Sequence, residues 1–126
     1  MHGRHDLACC WTCEARWDAP DEMSSADQCP SCGSTTTRPD IVWFGEMPQY
    51  LDEIARHLAS ADLFAAIGTS GQVYPAAGFV SEAKRHGAHT VEINLLASDI
   101  SNLFDEHIVG PATEVVPRWV DGLLPG

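Results

Sequence analysis

Basic residues are scarce in this 126-residue chain: seven Lys and Arg stand against eighteen Asp and Glu, a formal net charge of −11. They form no cluster anywhere. That excludes the electrostatic footprint needed by nucleic acid or an anionic membrane, so neither is expected as a partner. An acidic surface aids solubility and suits basic, lysine-rich partners. Also missing is any apolar run near the ~20 residues that span a bilayer, and the N-terminus has no signal-peptide core. The expected compartment is therefore the cytoplasm. Internal repeats and low-complexity tracts are absent too.

What remains is enough for a folded domain. The apolar fraction of 44% and four tryptophans support a real core, which argues against disorder. The length allows at most one ordinary domain, and it is short for an α/β enzyme that covers both faces of a sheet. In a reducing compartment, five cysteines point to metal rather than disulfides.

Two regions differ in grammar. Residues 1–39 are rich in Cys, Asp, Ser and Thr and show no sustained periodicity. From Asp40 onward the pattern alternates strand and helix. Ile41-Val42-Trp43-Phe44 is a β-prone run ended by Gly45. A helix is expected over 49–60, with Leu51, Ile54, Ala55 and Leu58 on one face. Residues 62–68 form a continuous apolar run, as in a strand buried on both sides. Residues 76–87 read as a helix stopped at Gly87, and 89–94 as the next strand. Residues 98–106 suggest a short helix with Ser98 as N-cap. The last helix starts near Pro111 and places Ala112, Val115, Val116, Trp119, Val120 and Leu123 on one side, with a kink or break expected at Pro117. Strand–helix alternation implies parallel pairing in half of a doubly wound sheet, with three or four strands.

Cys10 and Cys13 make one C-x2-C and Cys29 and Cys32 a second, with fifteen residues between the two pairs. Each knuckle presents two thiolates from a tight turn, and two knuckles complete a tetrahedron, the pattern of a closed structural zinc site. Iron in the same cage, or free thiols at chance spacing, are the alternatives. Cys9 is the odd thiol and the alternative to Cys10, and His5 could serve as a further donor. Later, Gly68-Thr69-Ser70-Gly71 follows a strand and precedes a helix. Small residues there let backbone amides approach a ligand at a strand's carboxyl end. GTSG does not match the dinucleotide fingerprint, and a plain βα turn would look the same. Asn94 ends the next strand, where it could equally favour a turn.

In order and spacing these stretches resemble the sirtuins, NAD-dependent protein lysine deacylases, particularly bacterial members. His2-Gly3 stands eight residues before Cys10, and Val42-Trp43-Phe44-Gly45-Glu46 follows the cysteine module. Gly68-Thr69-Ser70, Asn94 and Gly110-Pro111-Ala112 come next. The resemblance implies an α/β fold: the C-terminal half of a Rossmann-like parallel sheet with a small four-cysteine zinc-ribbon module. Residues 6–39 would be the zinc-binding module, and residues 1–5 and 40–126 the partial Rossmann-like NAD-binding domain.

It also implies roles. His2 would be the catalytic base, taking a proton from a hydroxyl of the nicotinamide ribose, a task suited to a near-neutral imidazole. The acyl-lysine oxygen would displace nicotinamide, and the activated hydroxyl would then attack the acyl carbon. Water would then complete release of lysine, leaving nicotinamide and acyl-ADP-ribose as the other products, so NAD+ would be a co-substrate; the one zinc ion would be structural. Gly68, Thr69, Ser70, Asn94, Leu95, Leu96 and Ala112 would bind NAD+; Leu96 stands where relatives often carry an acid. Val42, Phe44, Gly45, Glu46 and Val73 would hold the acyl-lysine protein or peptide as an added strand. The family's GAGxS and Gln-Asn-x-Asp segments lie upstream of the His-Gly pair, so the 126 residues alone are expected to be inactive. Two other readings stay open, a zinc-ribbon interaction module on an α/β scaffold and an inactive remnant of the family.

Overall fold

The computed structural model describes residues 1–124, which divide into two compact units, Met1–Leu51 and the residues from Asp52 onward. The first is built on a three-stranded antiparallel sheet. Strand β1 (Gly3–Cys10) lies between β2 (Arg16–Asp18) and β3 (Thr37–Ile41). The lack of sustained periodicity in residues 1–39 did not reveal this sheet, because β1 shows no regular apolar alternation along its length. β3 also replaces the strand expected over 41–44. It ends at Ile41, although Val42 N–H still donates to His2 O (2.9 Å). Pro39 sits within β3, which is tolerable because β3 is an edge strand needing fewer donors.

Gly3 has a specific reason to be glycine. Its φ is +82°, and a Cβ there would stand 1.9 Å from the Asp40 carbonyl oxygen. The backbones of β1 and β3 approach each other over that hydrogen atom. The His-Gly pair is therefore a structural fixture of this sheet.

The second unit is a parallel sheet with helices on both faces. Strand β4 (Leu63–Ile67) and strand β6 (Glu106–Val109) flank β5 (His89–Asn94), in register from Leu63↔His89 to Ile67↔Ile93 and from Val91↔Glu106 to Asn94↔Val109. Helices α1 (Leu51–Ser60) and α2 (Phe79–Arg85) cover one face, where Leu58, Ala83 and Ala88 pack with Ile54, Phe64 and Phe79. Helix α3 (Ala112–Leu123) covers the other, where Val115 meets Val91 and Ile93, with Ile108, Val116 and Trp119 around them. Parallel pairing and the ends of β5 agree with the sequence pattern.

Several expectations are corrected here. β4 is not buried on both sides: Leu63 and Ile67 are exposed, because β4 is an outer strand and the central β5 takes the buried position. Ala55 is exposed on α1, and Ala112, Val120 and Leu123 are exposed on α3. α3 runs unbroken through Pro117. Residues 76–87 hold a 3-10 turn (Ala76–Gly78) before the shorter α2. The helix expected over 98–106 is one 3-10 turn (Ser101–Leu103) followed by β6, and Ser98 does not cap it. Among the described residues no helix is long and apolar enough to cross a membrane.

Candidate functional site

The two cysteine knuckles are built alike. Cys10 N–H donates to Ala15 O (3.0 Å) and Glu14 N–H to Cys10 O (2.9 Å); Cys29 N–H donates to Ser34 O (2.8 Å) and Gly33 N–H to Cys29 O (2.9 Å). Each loop needs a left-handed residue at its fifth position, supplied by Gly33 (φ +73°) and, against the usual preference, by Glu14 (φ +59°). In each loop an N–H also points at the first sulfur: Thr12 N–H to Cys10 Sγ and Ser31 N–H to Cys29 Sγ, both 3.4 Å.

The four sulfurs of Cys10, Cys13, Cys29 and Cys32 lie within 4.8 Å of one another. Cys10–Cys32 is 3.7 Å and Cys13–Cys29 is 3.6 Å. A tetrahedral zinc with bonds of about 2.3 Å requires edges of about 3.8 Å, so the donor set and its spacing fit that ion. Acidity divides accordingly. Burial opposes ionisation of Cys10, but the Thr36 hydroxyl and the N–H groups around it outweigh burial and bring its thiol down to about 6. At Cys13 a backbone hydrogen bond from Ala15 favours the thiolate, yet the sulfurs of Cys32, Cys29 and Cys10, with burial, push it up to about 12. Crowded thiolates resist a common negative charge unless a cation shares the cage. Cys9 stands apart, its Sγ 4.0 Å from Pro39 O. A hydroxyl triangle of Thr12, Ser34 and Thr36 (2.7–3.1 Å) braces the cage, and sequence reading missed it because isolated Ser and Thr carry no spacing signal.

In the same unit His2 is exposed, with its backbone fixed by Val42 N–H. Residues 43–46 form a turn closed by Glu46 N–H to Trp43 O (3.0 Å), with Gly45 at φ +87°, as a type II turn demands. Val42 is half-buried and Phe44 fully exposed. The Glu46 carboxylate is engaged by Arg38 and by Trp43 N–H (3.0 Å), which together lower its pKa from the ordinary value. Arg38 and the buried Asp40, which accepts from Arg16 (2.8 Å) and Gln49 (3.1 Å), are participants that sequence reading missed.

In the second unit the ends of β4 and β5 enclose a cleft of about 390 Å³. Its lining includes Gly68, Thr69, Ser70, Asn94, Leu95 and Leu96, with Gln72, Ser98 and Asp99 beside them. Asn94 ties it together: Nδ2 donates to Thr69 O (2.7 Å), Oδ1 accepts Leu95 N–H (3.0 Å), and its carbonyl accepts Gly110 N–H (3.0 Å). Ala112 begins α3 two residues after Gly110 and does not line the cleft; neither does the exposed Val73. One wall rests on a buried carboxylate. Glu92, 1% exposed, accepts from the Ser101 hydroxyl, and its Oε2 lies 2.6 Å from His107 Nδ1 as a charge contact not aligned for a hydrogen bond. Burial opposes ionisation of Glu92, but Ser101, Ser98 and His107 outweigh it. A lone Glu inside an apolar strand gave no sign of that role.

Such a cleft, at the carboxyl ends of parallel strands where loops expose backbone amides, suits a nucleotide. The model of the Sir2 family matches residues 1–75. An NAD-dependent protein deacylase of Caulobacter vibrioides is 50% identical over 125 residues, 98% of this chain and 52% of the relative. One of Escherichia coli K12 is 50% identical over 127 residues, 100% of this chain and 46% of the relative. A solved Sir2 homologue–NAD complex superposes with a TM-score of 0.84 at 32% identity, covering 97% of this chain and 49% of that one. The chain thus spans about half the length of the relatives it matches. Fold, ordered motifs and similarity over nearly every residue agree, and the chain belongs to the Sir2 family.

Proposed function

We propose that these 126 residues are part of an NAD+-dependent protein lysine deacylase, acting on acyl-lysine proteins or peptides. The observation that carries the reading is the cleft of the second unit, which gathers Gly68, Thr69, Ser70, Asn94, Leu95 and Leu96. The names and NAD complexes of its relatives support the same reading. When bound, NAD+ supplies the ADP-ribose that accepts the acyl group as nicotinamide leaves. The glycine loop and Asn94 orient the adenosine side through backbone amides and a side-chain amide, with Ala112 nearby. His2 accepts a proton from a ribose hydroxyl. Val42, Phe44, Gly45 and Glu46, with Val73, take the peptide main chain, a mode demanding little of its sequence. Cys10, Cys13, Cys29 and Cys32 hold one structural zinc. The cytoplasm is the proposed compartment.

The assay is nicotinamide release from NAD+ with an acetyl-lysine peptide, using a polypeptide that contains these residues at the length of the relatives. His2→Tyr should abolish turnover with zinc content and circular dichroism unchanged. Undiminished turnover in that variant would overturn the assignment. For the 126 residues alone we expect rates lower by about 10⁵-fold or more, because positioning of both reactants is incomplete.

A further inference from the structure

We infer that Arg38 is the positioning residue that ties the Trp43–Glu46 turn to the first cysteine knuckle. The inference rests on the reading above only in taking that turn as part of the peptide-binding edge. Arg38 lies on β3, paired with Cys9 on β1. Its guanidinium carbon stands 5.5 Å from the ring centroid of Trp11, inside the Cys10–Cys13 knuckle, and 5.5 Å from that of Trp43. Both distances are within cation–π range. Its edge is used as well. Nη1 donates to Glu46 Oε1 (2.5 Å), Nη2 to Glu46 Oε2 (3.0 Å), and Nη2 also to Ile41 O (2.7 Å).

One planar group thus spends its fork on Glu46 and its faces on two tryptophans. The backbone of Trp11 is anchored in the knuckle, since its main-chain N–H donates to Thr36 O (3.0 Å) and its neighbour Cys10 supplies a cage sulfur. The ring of Trp43 belongs to the turn that the same Glu46 carboxylate closes. Displacement of the knuckle therefore reaches the turn through Arg38. Lysine preserves the charge but has neither the fork nor the flat face.

The test is NMR on the zinc-loaded 126-residue chain, with the indole signals of Trp11, Trp17, Trp43 and Trp119 assigned by single Trp→Phe changes. Arg38→Met and Arg38→Lys should both move the Trp43 indole and the Glu46 amide, while zinc content and the amides of β4–β6 stay unchanged. Trp11→Leu should move the Glu46 amide in the parent and leave it still in the Arg38→Met background. Should Arg38→Met fail to fold, Glu46→Gln takes its place and should move the Trp11 indole. Unmoved signals, or Arg38→Lys behaving as the parent, overturn the inference.

Titration with an acetyl-lysine peptide should show affinity lowered roughly tenfold in Arg38→Lys, the scale of one charge-assisted hydrogen bond. Unchanged affinity would overturn the link to recognition. A peptide that does not bind the parent would instead overturn the reading of residues 42–46 as a substrate edge, and the NMR signals would still decide the role of Arg38.

Discussion

In the unit of residues 1–51 the buried apolar side chains are Ala8, Cys10 and Cys29, with Asp40 the buried polar one. In the unit that follows they are Leu58, Ala77, Val80, Ala83, Ala88, Val91, Ile93, Phe104 and Val115. The first unit has almost no hydrocarbon core, and what replaces it is sulfur, hydroxyl and guanidinium chemistry converging from loops. The second obeys the ordinary rule that apolar area removed from water offsets chain entropy. Two halves of one small chain are therefore built differently, one around a four-cysteine cage that fits a metal ion and one on apolar packing. His2 and the 43–46 turn sit on the cysteine-caged unit, and the cleft at the ends of β4 and β5 on the packed one.

Metal removal should separate them most sharply. Structural zinc contributes about 10–16 kcal/mol to the folding of small modules of this kind. A strong chelator, or the double change Cys13→Ser/Cys32→Ser, should abolish the one zinc per chain and open β1–β3 to amide hydrogen exchange. The amides of β5 should stay protected. Elemental analysis without zinc in the parent, or equal loss of protection in both units, would break the comparison.

The converse change belongs in the second unit. Ile93 is fully buried near the carboxyl end of β5, the central strand of its sheet. Ile93→Ala should cost about 2–5 kcal/mol by loss of burial and the cavity left behind. Urea titration followed at β4–β6 amides should show that loss while the zinc content holds. A backbone lesion in the first unit should be of similar or smaller size. Gly3→Ala forces a Cβ onto the Asp40 carbonyl at φ +82°, and should destabilise β1–β3 by about 1–3 kcal/mol. Hydrogen exchange at Val42, whose N–H bonds His2 O, is the local readout, and an unchanged rate there would show that the two strands separate without strain.

The same contrast explains what could be read from sequence. Paired cysteines at fixed spacing, a βα glycine loop and β5's run of HTVEIN each carry a local physical signal, and each lies where that signal puts it. Strand β1 did not show itself, since its pairing is fixed by the cage and by the Gly3–Asp40 approach rather than by apolar alternation. The exposure of β4 was hidden for another reason: a continuous apolar run reports hydrophobicity and not position within the sheet. β6 is four residues long with an acid and a histidine among them, and its strand character depends on pairing with β5. Arg38 is the clearest case. Its partners, Trp11, Trp43 and Glu46, are twenty-seven residues before it and five and eight after it, and no spacing rule connects them.

The smallest expected effect is electrostatic and lies in the second unit. Lys84 Nζ is 2.6 Å from Asp105 Oδ1, while Thr90 donates to Oδ2 from its hydroxyl (2.8 Å) and its backbone N–H (3.0 Å). Led by the Lys84 contact and joined by the Thr90 bonds, these partners bring the Asp105 carboxyl down to about 2 from an ordinary 3.8. The folded protein thus binds this proton less tightly than the unfolded chain does. Stability from Asp105 is therefore fully present above about pH 4 and is lost as pH falls through the interval from 3.8 toward 2. Asp105→Asn removes that titration. At pH 7 the variant should unfold slightly earlier in urea than the parent, because Lys84 loses its partner, and the gap should narrow steadily below pH 4. Melting followed at β5 and β6 amides checks this, with zinc content serving as control at pH 7. A gap that widens on acidification would mean that Asp105 binds its proton more tightly in the folded state, contrary to the contacts around it.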